Sequence, residues 1–212
     1  MARYPTKSWR AFRPDSPRGE AAAEPVRTRA AGVGASAACA LAVTQVRCRI
    51  LGIDPGSHRT GFGVIDCNGP DYICVAQGHL NVTRAELASR LRDIHCGVLK
   101  LIETHAPDEV AVERVFVNRN IDSALKLGQA RGAALAAVPA HIPVAEYAPR
   151  AIKMAAVGFG GADKIQVAHM VRQLLHVVGP LSADAADALA VAICHANGRR
   201  AAAWVASAGP RA

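Results

Sequence analysis

Apolar and polar positions along the chain change character abruptly near residue 47. Before it, Arg, Ala and Pro predominate and no helical or strand period is sustained, so residues 1–47 are expected to form a disordered basic extension. From there a short apolar run, Cys48 to Ile53, ends at Asp54-Pro55-Gly56 and predicts a first strand. Gly61 to Asp66 and Tyr72 to Leu80 predict two more strands, joined through Asn68-Gly69-Pro70 as a meander. Between Arg84 and Thr104, Leu87, Leu91, Ile94, Val98, Leu101 and Ile102 recur at helical spacing, and Pro107 lies beyond.

The second half alternates. Asp108 to Val115 is an apolar strand interrupted by Glu113. Asp122 to Val138 predicts a helix, with Asp122 as its N-cap and Pro139 past its end. Ile142 to Tyr147 is a fifth strand, and Pro149 to Val157 a helix with Pro in its first turn. A glycine-rich loop, Gly158 to Ala162, leads to helices over Asp163 to Val177 and Ala183 to Asn197, the last stopped by Gly198. Residues 199–212 read as a disordered basic tail. A meander followed by alternating helix and strand requires a mixed five-stranded sheet flanked by helices, an α/β architecture. Ribonuclease H-like nucleases use this order, and so does each lobe of the actin-like ATPases.

The 212 residues are 51% hydrophobic and 20% charged, which excludes a disordered or fibrous chain as a whole. At 4% aromatic, the core must be built from small and branched aliphatic side chains. The longest uncharged run, Ala30 to Val46, is mostly Ala, Gly, Ser and Thr, so no membrane span is expected. An Arg-rich start precedes Gly32 to Val43, but the prolines and acids around it disfavour an export signal. The formal net charge of +8 is concentrated at the front, where residues 1–47 contribute +5. Charge alone is therefore weak support for nucleic-acid binding. Cys39, Cys48, Cys67, Cys74, Cys96 and Cys194 contain no metal-ligand spacing and read as small apolar residues in a reducing, cytoplasmic setting.

Four carboxylates sit where an apolar pattern should exclude them. Asp54 ends the first strand and Glu113 interrupts the fourth. Asp184 and Asp187, three apart, share one face of an otherwise apolar helix. Each alone has a structural explanation: a turn cap, an ion pair, a helix cap. Together they make an all-oxygen set that suits Mg²⁺ or Mn²⁺ rather than Zn²⁺. Such a set can hold two ions ~4 Å apart, the arrangement that clamps a phosphodiester during hydrolysis.

Ile50 to Ser57 with Thr60 to Gly63, Val112 to Phe116, Asp122 to Gly132 and Ala183 to Ala190 resemble, in order, blocks of the RuvC family of Holliday-junction resolvases. The resemblance runs from about Arg49 to His195 and marks 48–198 as the nuclease domain. It implies that Asp54, Glu113, Asp184 and Asp187 are the catalytic tetrad holding two Mg²⁺, with Mn²⁺ able to substitute. It further implies that Lys153 and Lys164 stand beside the scissile phosphate. Phe116 would stack on an unpaired base near the crossover, and Arg119 and Arg131 are lesser phosphate-contact candidates. The family acts as a homodimer on four-way junction DNA and works with a RuvA–RuvB branch-migration motor, so these partners are implied as well. The residues themselves leave open an actin-like ATPase and a non-catalytic DNA-binding protein.

Overall fold

The computed structural model describes residues 47–82, 86–114 and 121–207. Its strands are β1 (Cys48–Asp54), β2 (Arg59–Asn68), β3 (Asp71–Asn81), β4 (Glu109–Glu113) and β5 (Val144–Tyr147). Helix α1 (Leu87–His105) precedes β4, and α2 (Ile121–Ala136) follows it. After β5 come α3 (Pro149–Val157), α4 (Lys164–Leu174) and α5 (Ala183–Ser207). The five strands form one sheet in the order β3-β2-β1-β4-β5. β1 pairs antiparallel with β2 and β2 with β3, whereas β1–β4 and β4–β5 are parallel. This is the mixed sheet the sequence pattern requires. No helix among the described residues is long and apolar enough to cross a membrane.

Alternation along β1 divides the core. Leu51 and Ile53 face Ile94, Val98 and Ile102 of α1 and Ala130 and Ala134 of α2. Ile50 faces the other layer, with Leu189 and Ile193 of α5, Val167 and Val171 of α4 and Ile152 of α3. α5 lies directly against the strands because its buried face is largely alanine and the sheet beneath it carries glycine. A Cβ on Gly52 would stand 2.2 Å from the Ala188 carbonyl oxygen, and one on Gly61 2.1 Å from that of Asp184. Any side chain at these two positions would lift the helix from the sheet.

Several expected boundaries differ. α5 does not stop at Gly198 but continues through Ser207, so the predicted disordered tail begins as helix. A glycine inside a helix costs only about 1 kcal/mol relative to alanine. Here Ala201 to Ala203 favour continuation, and Arg199 pairs with Glu109 at the start of β4. α4 ends at Leu174 rather than Val177, because His176 takes the left-handed conformation, φ 49°. Asp122 lies in the first turn of α2, paired with Lys126 at 2.6 Å, and not at a cap. Arg47, assigned from sequence to the extension, hydrogen-bonds Asp66 of β2, which Arg49 holds at 2.7 Å. The expectation for residues 1–46 lies outside the described residues.

Candidate active site

Asp54 and Glu113 close β1 and β4, neighbouring parallel strands paired Ile53 to Val112. Both carboxyls therefore emerge at the same edge of the sheet. Each carboxyl acts electrostatically on the other, and burial of two neighbouring acids favours the protonated form. Burial, followed by the negative charges of Glu113 and Asp187, pushes Asp54 up to about 8, although Lys164 pulls it down. Burial also raises Glu113, opposed chiefly by its bond to Asp54 and by Lys164 and Lys153.

The second pair comes from the start of α5. Ser182 accepts the Ala185 N–H at 3.2 Å and caps the helix, which leaves both aspartates free for other work. Lys164 Nζ donates to Asp187 Oδ2 at 2.7 Å, and this bond raises the lysine above its ordinary value. One turn earlier, Asp184 Oδ2 lies 3.8 Å from Arg59 Nη1. Asp54, Glu113, Asp187, Lys153 and Lys164 thus form one electrostatic cluster, with Asp184 at its β2 margin.

Among the described residues, no group of three or more His, Cys, Asp or Glu side chains is arranged to hold a metal ion as it stands. The chemistry of the set nonetheless fits a hard divalent cation. The donors are all carboxylate oxygens, burial and mutual repulsion hold Asp54 well above its ordinary value, and Asp187 is held by an ammonium group. A cation would take the place of both the proton and the ammonium. Asp54, Glu113, Asp184 and Asp187 are the residues that would hold it.

The remaining candidates fall elsewhere. Phe116 and Arg119 lie outside the described residues. Arg131 is on α2, where its guanidinium meets Glu146 of β5 at 2.6 Å and its side chain is only 21% exposed. That places it in a half-buried pair with β5 rather than in the carboxylate cluster. Reading the sequence alone misses Arg59. No sequence signal marks it, because its approach to Asp184 depends on the packing of α5 on β2.

The family model described as "Crossover junction endodeoxyribonuclease RuvC" matches residues 50–195. The chain belongs to the RuvC family. A crossover junction endodeoxyribonuclease RuvC from Vibrio cholerae serotype O1 is 56% identical over 149 residues, 70% of this chain and 86% of the relative. Thermus thermophilus RuvC, solved in complex with a Holliday junction substrate, superposes with a TM-score of 0.68 at 36% identity, covering 73% of this chain and 96% of that one. The yeast mitochondrial Holliday junction resolvase Ydc2 shares the fold at 15% identity, TM-score 0.54, over 73% of this chain and 81% of its own. The architecture is thus the ribonuclease H-like one, and membership of the RuvC family removes the ATPase alternative.

Proposed function

We propose that this chain resolves four-way DNA junctions in recombination and repair. As a homodimer it nicks two opposed strands and leaves 5′-phosphate and 3′-hydroxyl ends. The observation that carries the reading is the placement of Asp54 and Glu113 side by side at the carboxyl ends of β1 and β4, within electrostatic reach of Asp187 and of the Lys164 that Asp187 holds. Two Mg²⁺ ions, with Mn²⁺ as a substitute, are the cofactors assigned to these carboxylates; when bound, they supply the charge that activates water and neutralises the leaving 3′ oxygen. Lys164 and Lys153 place positive charge beside the cluster, where it offsets the build-up of negative charge on phosphorus oxygens. Asp187 holds Lys164 in place until the strand arrives. Phe116 is assigned to an unpaired base at the crossover, and Arg119 to a backbone phosphate. Two-fold symmetry suits a substrate with two equivalent strands. A RuvA–RuvB motor is the assigned partner and the cytoplasm the assigned location.

A synthetic four-way junction and a linear duplex of the same sequence, each with and without Mg²⁺, test this. Paired, ligatable nicks confined to the junction and dependent on the cation are expected. Binding without cutting under all cations would leave only a DNA-binding protein.

A further inference from the structure

Arg59 opens β2 and is exposed over 63% of its side chain. Its 3.8 Å approach to Asp184 is an ion contact beyond hydrogen-bond length, and an exposed pair at that range adds little to stability. Yet the backbone around it is tightly fixed. A Cβ on Gly56 would stand 2.0 Å from the Arg59 carbonyl oxygen, so the turn after Asp54 is seated on this residue. A Cβ on Gly61 would meet the Asp184 carbonyl oxygen at 2.1 Å. Residues two apart on a strand share a face, so Arg59 belongs to the face on which α5 begins. The Arg59 side chain therefore leaves β2 from a fixed point of the backbone beside the start of α5.

The other cations come from a different direction. Lys153 and Lys164 belong to α3 and α4, whereas Arg59 belongs to β2. The carboxylates are therefore flanked by positive charge from two separate parts of the fold. A DNA strand crossing the cluster carries a phosphate on each side of the bond to be cut, and in-line attack requires the strand to be held. Guanidinium is a planar fork that matches phosphate oxygens in a way an ammonium does not.

We infer that Arg59 holds a phosphate of the cut strand adjacent to the scissile one. In the free protein it balances Asp184. Were that carboxylate to hold a cation, the guanidinium would be free to turn to the DNA. The inference rests on the nuclease reading above.

The test compares Arg59→Ala, Arg59→Gln and Arg59→Lys with the wild type in two assays. Junction affinity is followed against salt concentration with Ca²⁺ in place of Mg²⁺, and single-turnover cutting is measured in Mg²⁺ at saturating protein. Arg59→Ala and Arg59→Gln are expected to lower the log–log salt slope by about one unit and to slow cutting about tenfold. Arg59→Lys is expected to restore the slope but not the rate, because it returns the charge without the fork. Thermal midpoints close to wild type would separate this from misfolding, and Arg59→Gln retains part of the stem should Arg59→Ala be poorly folded. An unchanged slope and rate in a series whose wild type cuts junctions would overturn the role of Arg59 alone. A wild type that binds junctions and never cuts would overturn the nuclease reading, and this inference with it.

Discussion

The carbonyl oxygen of Asp184 lies 2.1 Å from the point at which a Cβ on Gly61 would stand. The backbone of the first turn of α5 is thus in direct contact with β2, and it is this turn that carries Asp184 and Asp187. Gly61→Ala must drive that turn off the sheet. Overpacking of this kind costs about 1–3 kcal/mol. A displacement of ~1 Å at a reacting centre can cost ~10²-fold in rate. Gly61→Ala is therefore expected to lower the thermal midpoint by several degrees and to reduce cutting by about two orders of magnitude, measured below the shifted midpoint. Wild-type cutting by this variant would show that the seat of α5 does not position the carboxylates.

Asp54 gives a pH dependence with a definite sign. Its carboxyl stands at about 8 in the fold against an ordinary value of 3.8, so between those limits the folded chain keeps a proton that the unfolded chain releases. Its favourable contribution is complete below about pH 4 and is lost as pH rises towards 8. Asp54→Asn removes the titration. Without divalent cations it is expected to melt at or above the wild-type temperature at pH 8, with a flatter pH profile across that window. Mg²⁺ should raise the midpoint of the wild type and not of the variant, and the variant should bind junctions without cutting them. A variant less stable than the wild type at pH 8 in chelator would contradict the raised, buried Asp54 carboxyl.

Much of this was legible in the sequence, and the exceptions have physical causes. Asp54 and Glu113 stood out because charge within an apolar run is costly and needs a reason. The α1 stripe and the β1 run marked two layers of core before any contact was known. The length of α5 was not legible, because Gly198 is a local stop signal overridden by distant partners such as Glu109, which holds Arg199. Arg59 was hidden for a similar reason. Its neighbour Asp184 is 125 positions away, and only the packing of α5 on Gly61 brings the two together.

Arg131, a phosphate-contact candidate from the sequence, is ion-paired in the free protein. Its guanidinium meets Glu146 at 2.6 Å, while Arg114 approaches the same carboxylate at 3.7 Å. Arg131→Ala leaves Glu146 with the weaker of its two cations and opens space beneath α2. A loss of about 1–3 kcal/mol in stability is expected, with the salt slope of junction binding unchanged. A slope lowered by one unit at wild-type stability would instead return Arg131 to the DNA surface.

The front of the chain gives the last expectation. The family match begins at residue 50, and the first described contact from the amino-terminal side is made by Arg47, which reaches Asp66 beside Arg49. Hydrogen bonding to Arg49, supported by Arg47, holds the Asp66 carboxyl down at about 2 although burial opposes it. Its stabilising contribution is therefore present above the ordinary value of 3.8 and is lost as pH falls towards 2. A chain beginning at Val46 keeps Arg47 and both partners of Asp66. It is expected to match the full chain in thermal midpoint at pH 7, in the acid limb of its stability profile and in cutting rate at saturating protein. Only affinity at low salt should fall, because the +5 of residues 1–47 is reduced to a single arginine. Arg47→Ala in the same truncated chain should remove some acid stability without touching the cutting rate, since Asp66 keeps Arg49. Thermal melts from pH 3 to pH 8, run beside single-turnover cutting, separate the two effects. A Val46 start that aggregates, or that folds and cannot cut, would show that residues 1–45 belong to the working enzyme.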